Sequence, residues 1–423
     1  MKTLTIKLKQ HTPIIHFQHD QEGATLRASE VKPKLDRFIL TQLGNGDYEA
    51  GIRVAKEKNW ILGDHPALNY KMRIEAKNIQ KWDMKKASGK NKDGKTIFDI
   101  IPMFFGNMHA KNDIFFTPKK MSFTTEPILM VISFQEEDRG LLSYIEDNIA
   151  SFFTFNNFGT RQSKGFGCFF PLNNHSVKDI LQNKYATFSL TKNEFGTWDG
   201  YKTLFDSIDL FYKSIRSGIN HNYVYLKSLM YLYADEQGSY WDKRTIRHTF
   251  GLFYPNRTSD KGEISDLKYD GTINTINKKA RLYRDMLGLS SLQEWRKYGD
   301  TITKENIPES NKKEDIIDRF KSPLLIKPLY NNGRFDIYLL PMTIPDKYKN
   351  AVFEIRSKRK GSSFKMRTPS TFDINDFLQF ISDEEIAKWV LKNLKKYSNN
   401  SNPRTKEIVS TLTFIFGNIK YIY

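Results

Sequence analysis

From Thr3 to Gln10 the chain sets Leu4, Ile6 and Leu8 against Thr5, Lys7 and Lys9, the period-two pattern of a half-buried strand. Helical spacing follows in SEVKPKLDRFIL, where Val31, Leu35, Phe38 and Ile39 form one stripe and Ser29 stands where a cap is needed. Lys32 and Lys34 fall on the margins of that stripe with Arg37 beside Lys34, so the helix carries a basic flank. Thr41 to Pro66 has no clear period. Tyr70 to Lys77 alternates again, KWDMKKASGKNKDGK reads as a basic loop, and Pro127 to Phe134 is an apolar run suited to a central strand covered on both faces. Leu141 to Phe153 reads as a helix and Gly167 to Pro171 as a strand. Strand, helix, strand, strand, helix, strand is the ferredoxin-like order.

A change of composition over Asn173 to Lys184 divides the chain into domains 1–175 and 176–423. In the second, Leu204, Ile208, Phe211, Tyr212 and Ile215 share one helical face and Tyr223 to Tyr233 predicts another helix, so about 200–300 reads as a helical insertion. Asn256 to Lys279 and Lys304 to Lys321 are polar and read as loops. SPLLIKPLYNNGRFDIYLLPMTI predicts two strands around an Asn332-Gly333 turn. A helix over Ile381 to Tyr397 and a late strand over Thr411 to Phe416 complete ferredoxin-like elements at about 322–423. The expected fold class is therefore α+β: two ferredoxin-like (RRM-like) domains with helical and loop insertions.

Charge narrows the function. Sixty-six Lys and Arg against 48 Asp and Glu give +18, which points to a polyanionic partner. Apolar runs are too short to span a membrane and MKTLTIKLKQ lacks the unbroken apolar core of a signal peptide, so a cytoplasmic protein with no membrane partner is expected. Cys168 is the single cysteine, which excludes an internal disulfide and a thiolate zinc cluster. The segment FGTRQSKGFG, residues 158–167, adds chemistry. Gly159, Gly165 and Gly167 would allow a phosphodiester to approach closely, while Arg161 and Lys164 supply charge, and Gln162 and Ser163 supply polar groups. Its lysine precedes the second glycine, unlike a nucleotide-binding P-loop. WDKRTIRHTF, with Lys243, Arg244, Arg247 and His248, is a further phosphate-contacting candidate for which solvated helix ends account nearly as well, and RSKRKGSSFKMR, which could contact a backbone, reads first as a solvated charge run.

Of eight histidines, His11, His16 and His19 crowd one segment. His16 or His11 could act as the general base of a metal-independent ribonuclease, but the plainer reading of all three is structural loop residues. His19-Asp20 has no companion metal ligands at helical spacing. Neither a Gly-x-Ser-x-Gly elbow nor a Cys/His nucleophile context occurs. The residues favour binding over catalysis and call for no metal and no cofactor.

Three segments carry a family resemblance. ATLRASEVKPKLDRF resembles the segment opening the first helix in the RAMP superfamily of CRISPR-associated proteins, FGTRQSKGFG resembles that superfamily's glycine-rich loop, and SPLLIKPL resembles a C-terminal strand of the large two-domain end-capping subunit of type III-B (Cmr) effectors. Pro33 stands where the family often has glycine. The resemblance implies two ferredoxin-like domains and a non-catalytic RNA-binding subunit in antiviral defence, contacting target RNA or CRISPR RNA near its 3′ end, with other RAMP subunits as partners. Arg27, Ser29, Lys32, Lys34 and Arg37 would line the RNA path opposite Arg161, Gln162, Ser163 and Lys164. A repeat-processing endoribonuclease of the same superfamily, or another RAMP backbone subunit, is the alternative it leaves.

Overall fold

A computed structural model describes residues 2–16, 25–61, 63–102, 104, 120–134, 140–172, 177–181, 184–221, 223–252, 280–295, 298–308 and 315–423. His19, Asp20 and the expected loop at 256–279 lie outside the described residues.

The first sheet is built from strands β1 (Lys2–Gln10), β2 (Lys71–Glu75), β3 (Ile128–Phe134) and β4 (Phe169–Pro171), in the spatial order β2-β3-β1-β4, all antiparallel. Helices α1 (Ala28–Leu43) and α3 (Leu141–Phe155) pack on it, and α2 (Tyr48–Glu57) packs on α1. Leu4, Ile6 and Leu8 of β1 share a core with Val31, Leu35 and Ile39 of α1 and Ile145, Ile149 and Phe152 of α3. One apolar face per element, buried against the next, is what the alternating and helical patterns encode.

The second sheet repeats the plan. Strands β5 (Tyr185–Lys192), β6 (Leu324–Asn331), β7 (Arg334–Pro341) and β8 (Lys420–Ile422) lie in the order β6-β7-β5-β8, flanked by helices α4 (Trp198–Arg216) and α5 (Pro403–Phe416). In both sheets the first and third strands in chain order are central. The β6–β7 turn is made by Asn332 and Gly333, both with positive φ (49° and 79°), as a two-residue hairpin requires.

Several expectations change. Thr411 to Phe416 belongs to α5, because Asn402 caps it, Pro403 sits in its first turn, and Ile408, Leu412 and Ile415 bury at helical spacing despite their β-branched neighbours. α1 starts at Ala28 with Arg27 at its cap position, so Ser29 lies inside the helix. Thr41 to Pro66 contains α2, capped by Asp47. The expected helix over Ile381 to Tyr397 is Glu384–Lys395, preceded by a separate helix, Ile374–Ile381. Tyr223 to Tyr233 divides between the strand Val224–Leu226 and the helix Leu229–Glu236. The central strand β3 buries only one face fully.

The insertion is not helical throughout. A six-stranded sheet takes Tyr240–Trp241, Ala280–Arg281, Leu292–Trp295 and Asp300–Ile307 from before β6, and Val352–Ser357 and Ser363–Arg367 from after β7. Asp300–Ile307 overlaps the stretch read as a loop because its inward positions include a lysine. Lys304 is fully buried and ion-paired to Asp285, near Asp242. The basic loop KWDMKKASGKNKDGK is also ordered, contributing Gln80–Asp83, which pairs with Lys120–Phe123, and Lys85–Lys90, which pairs with Thr96–Ile100.

Candidate nucleic-acid interface

The glycine-rich segment leaves α3 and wraps over a turn of 3-10 helix, Gln162–Lys164, before entering β4. Gly159, Gly165 and Gly167 all have positive φ (75°, 88° and 63°). Their missing side chains make room for the protein itself. A Cβ on Gly167 would stand 2.0 Å from the Phe158 carbonyl oxygen, one on Gly159 2.5 Å from that of Ile15, and one on Gly165 2.7 Å from Pro328 Cγ.

Most of the loop's amides are also occupied within the fold. Gly159 N–H donates to Glu30 Oε1 of α1 (2.6 Å), Thr160 N–H to Ile15 O (2.7 Å) and Gly167 N–H to Pro13 O (2.8 Å). Asn157 Nδ2 donates to Gln162 O (2.8 Å) and, across to β6, to Ile326 O (3.0 Å), while Gln162 Nε2 returns to Gly159 O (2.7 Å). Donors committed in this way do not form an open phosphate cradle.

The basic side chains divide. Lys164, expected to face a ligand, turns inward: it is 8% exposed and its Nζ lies 3.1 Å from the Tyr212 ring centroid. Burial, with Arg216 nearby, holds its ammonium well below the ordinary lysine range. Arg161 and Ser163 are half-buried, and burial lowers the Arg161 pKa. Lys34 of α1 does reach the loop, donating to Asn157 O (3.4 Å), with its Nζ 4.7 Å from the Phe158 ring and 3.6 Å from Glu30. Burial lowers its pKa, Glu30 opposes that, and the charge of Lys321 adds to it. Lys32 and Arg37 point elsewhere. The first donates to Asp36 (2.7 Å) and Leu68 O (3.0 Å), and the second lies over Tyr48. Arg27 is half-buried and Ser29 exposed at the start of the helix.

Lys327, which carries no motif in the sequence, organises the junction. It is fully buried in β6, and its Nζ donates to the carbonyls of Phe153, Asn156 (3.0 Å) and Phe169 (3.2 Å) and to Asn157 Oδ1 (3.1 Å). The Phe153 carbonyl belongs to the last turn of α3, where carbonyls lack helical partners and the dipole favours a cation. A lysine at an inward position of the apolar run LLIKPL was the signal.

His11 is 7% exposed and its Nδ1 accepts from Tyr330 N–H (2.9 Å). Burial first, then Lys9 and Lys327, hold its pKa well below the ordinary value, so it stays neutral as an acceptor. His16 is equally buried. Among the described residues no group of three or more His, Cys, Asp or Glu is arranged to hold a metal ion, and no helix is long and apolar enough to cross a membrane.

The exposed basic surface lies elsewhere. Every residue of the paired strands Lys85–Lys90 and Thr96–Ile100 is exposed, and Ile97, Phe98 and Ile100 keep 45–47% of their surface open. Lys85 Nζ lies 5.0 Å from the Phe98 ring and Lys86 pairs with Asp199 (2.8 Å). The run from Arg356 is a hairpin whose turn is fastened by Asp300 to Ser357 Oγ (2.6 Å) and Arg359 N–H (2.9 Å).

Family models described as the Cmr1 N-terminal domain and the Cmr1 C-terminal domain match residues 1–219 and 225–405 respectively. No curated protein matches. Among solved structures, the crystal structure of Cmr1 from Pyrococcus furiosus in its apo form is similar at 10% identity and a TM-score of 0.31, over 82% of this chain and 90% of that one.

Proposed function

The chain belongs to the Cmr1 family, a RAMP subunit of type III-B CRISPR systems, and from that membership we propose a non-catalytic RNA-binding subunit of a cytoplasmic Cmr ribonucleoprotein. Its partners in this reading are CRISPR RNA or target RNA, met near the guide's 3′ end, and other RAMP subunits. The observation that carries RNA binding is the hairpin Lys85–Lys90/Thr96–Ile100. It presents lysines and Phe98 on strands that bury nothing in the fold, the pairing of charge and aromatic face that single-stranded nucleic acid uses. Lys34 and Arg161 at the α1–loop junction are the second contact in this reading. Both four-stranded units read as ferredoxin-like, supported by their central first and third strands, and we divide them at about residue 175, between β4 and β5.

Titrating the full chain with labelled single-stranded RNA across salt concentrations tests the proposal. Binding should weaken steeply with salt, and Lys85→Gln with Lys90→Gln should flatten the log–log slope by about 0.7 for each phosphate no longer neutralised. Absence of binding at low salt, or RNA cleavage in EDTA that His16→Ala abolishes, would overturn it.

A further inference from the structure

Outside the hairpin and the loop junction, two aromatic side chains stand open on the surface of the second domain's insertion. Ile219–His221 and Val224–Leu226 form a two-stranded ribbon in which Asn220 faces Tyr225. Ile219, Val224 and Leu226 turn inward and are buried, whereas Tyr223 keeps 60% and Tyr225 58% of its surface exposed. Two aromatic faces on one short ribbon are thereby open to solvent and available for stacking.

The ribbon is also held in place. Tyr397, just past the helix Glu384–Lys395, closes its outer edge by accepting from Tyr225 N–H (3.2 Å) and donating to Tyr225 O (3.2 Å) through one hydroxyl. These bonds use the backbone of Tyr225 and leave its ring unengaged by them. The same docking brings the basic C-terminal end of that helix against the ribbon, with Lys395 and Lys396 exposed beside Tyr397. Directly after the second strand, the exposed Lys227 lies with its Nζ 4.8 Å from the Tyr231 ring.

We propose that Tyr223 and Tyr225, flanked by Lys227, Lys395 and Lys396, form a second single-strand RNA platform, on which bases stack against the tyrosine rings and phosphates meet the lysines. The inference rests on the RNA-binding reading above and extends it to the second domain. Charge selects this occupant over a protein. The ribbon and the adjoining helix end contribute cations and no carboxylate between residues 217 and 227 or 392 and 400, and aromatic faces among lysines bind bases without reading their sequence. The backbone clamp from Tyr397 means the rings can be removed without loosening the ribbon.

The test uses the full chain, an oligouridine carrying 4-thiouridine, and the same oligomer with abasic sugars. Irradiation should cross-link the peptide spanning 217–227. Tyr223→Ala and Tyr225→Ala should each weaken binding about fivefold or more, as expected for loss of one stacked base, with Tyr225→Trp restoring it. Wild-type protein should lose a comparable factor on the abasic oligomer, a readout that does not depend on any variant folding. If the wild type binds RNA but cross-links only elsewhere and the tyrosine variants bind equally well, the platform is overturned and the RNA-binding reading stands. If the wild type binds no RNA, both fall. Variants that keep RNA affinity but lose a copurifying subunit would make the ribbon a protein-docking surface, which also overturns the platform.

Discussion

Replacing Lys327 with methionine tests how the two sheets are joined. The ammonium satisfies three backbone carbonyls and Asn157 Oδ1 inside a buried junction. Methionine fills similar volume but donates nothing, so these acceptors lose their shared partner. An unsatisfied buried acceptor costs about 1–3 kcal/mol, giving roughly 4–12 kcal/mol gross for four. Against this, the folded state no longer carries a desolvated cation, a relief of several kcal/mol. The net expectation is a loss of about 3 kcal/mol. At roughly 2–4 °C per kcal/mol for a unit of this size, the midpoint should fall by about 6–12 °C in a thermal melt followed by circular dichroism. Lys349→Met, at an exposed ion pair with Asp346, serves as control and should move the midpoint by no more than about 2 °C. A Lys327→Met protein as stable as wild type would refute the argument, showing that desolvation of the ammonium cancels everything its hydrogen bonds contribute.

The loop makes its own predictions. Arg161→Ala should lower the salt slope of RNA binding by about 0.7, whereas Lys164→Ala should leave the slope unchanged and instead lower the unfolding midpoint, because its buried side chain packs against Tyr212; equal slopes for wild type and Arg161→Ala would remove the loop from the interface. Gly361→Ala, at φ 65° with open space around it, should cost about 1–2 kcal/mol in urea unfolding, and Gly167→Ala, at φ 63° but against the Phe158 carbonyl, at least about 3 kcal/mol. For His11 the folded pKa lies below the unfolded value of 6.5, so between the two the unfolded chain binds more protons and stability rises with pH. Acidification below pH 6.5 should therefore destabilise by up to about 1.4 kcal/mol per pH unit from this group. His11→Gln, whose side-chain oxygen can still accept from Tyr330 N–H, should flatten unfolding free energies measured from pH 6.5 to 5.0; an unaltered slope would mean that His11 titrates normally.

What the sequence made legible was whatever buries one face against a single neighbour. β1, α1, α3 and the Asn332-Gly333 hairpin announce themselves because each alternation or stripe has one inside. Lys85–Lys90 and Thr96–Ile100 bury neither face, so no period marks them, and only pairing with each other makes them strands. Asp300–Ile307 was obscured by Lys304, an inward lysine that only a buried aspartate from elsewhere in the chain can tolerate. α5 was hidden by β-branched and aromatic residues in TLTFIF, whose local preference lost to a capped amphipathic face. The sequence paired the glycine loop with the first helix, and Glu30 and Lys34 are the residues by which that helix meets it. It could not tell an inward lysine from an outward one at Lys164, nor see that the glycines yield space to Phe158, Ile15 and Pro328, because those partners come from other turns of the chain.

The insertion between α4 and β6 has a consequence for how the protein is made. β5 is the first strand of its sheet to leave a ribosome, yet Ser189 waits for Asn418, 229 residues later, to satisfy its amide, and Tyr185 pairs with Ile422. The first sheet is complete by Pro171. During synthesis, then, β5 has no strand partner until β7 emerges and keeps its other edge open until Lys420–Ile422 arrive, and Lys327 cannot join the two sheets before its own hairpin arrives. The nascent chain passes through a long interval with the first sheet's strands made and β5 still open, the period in which a partner or chaperone would matter most.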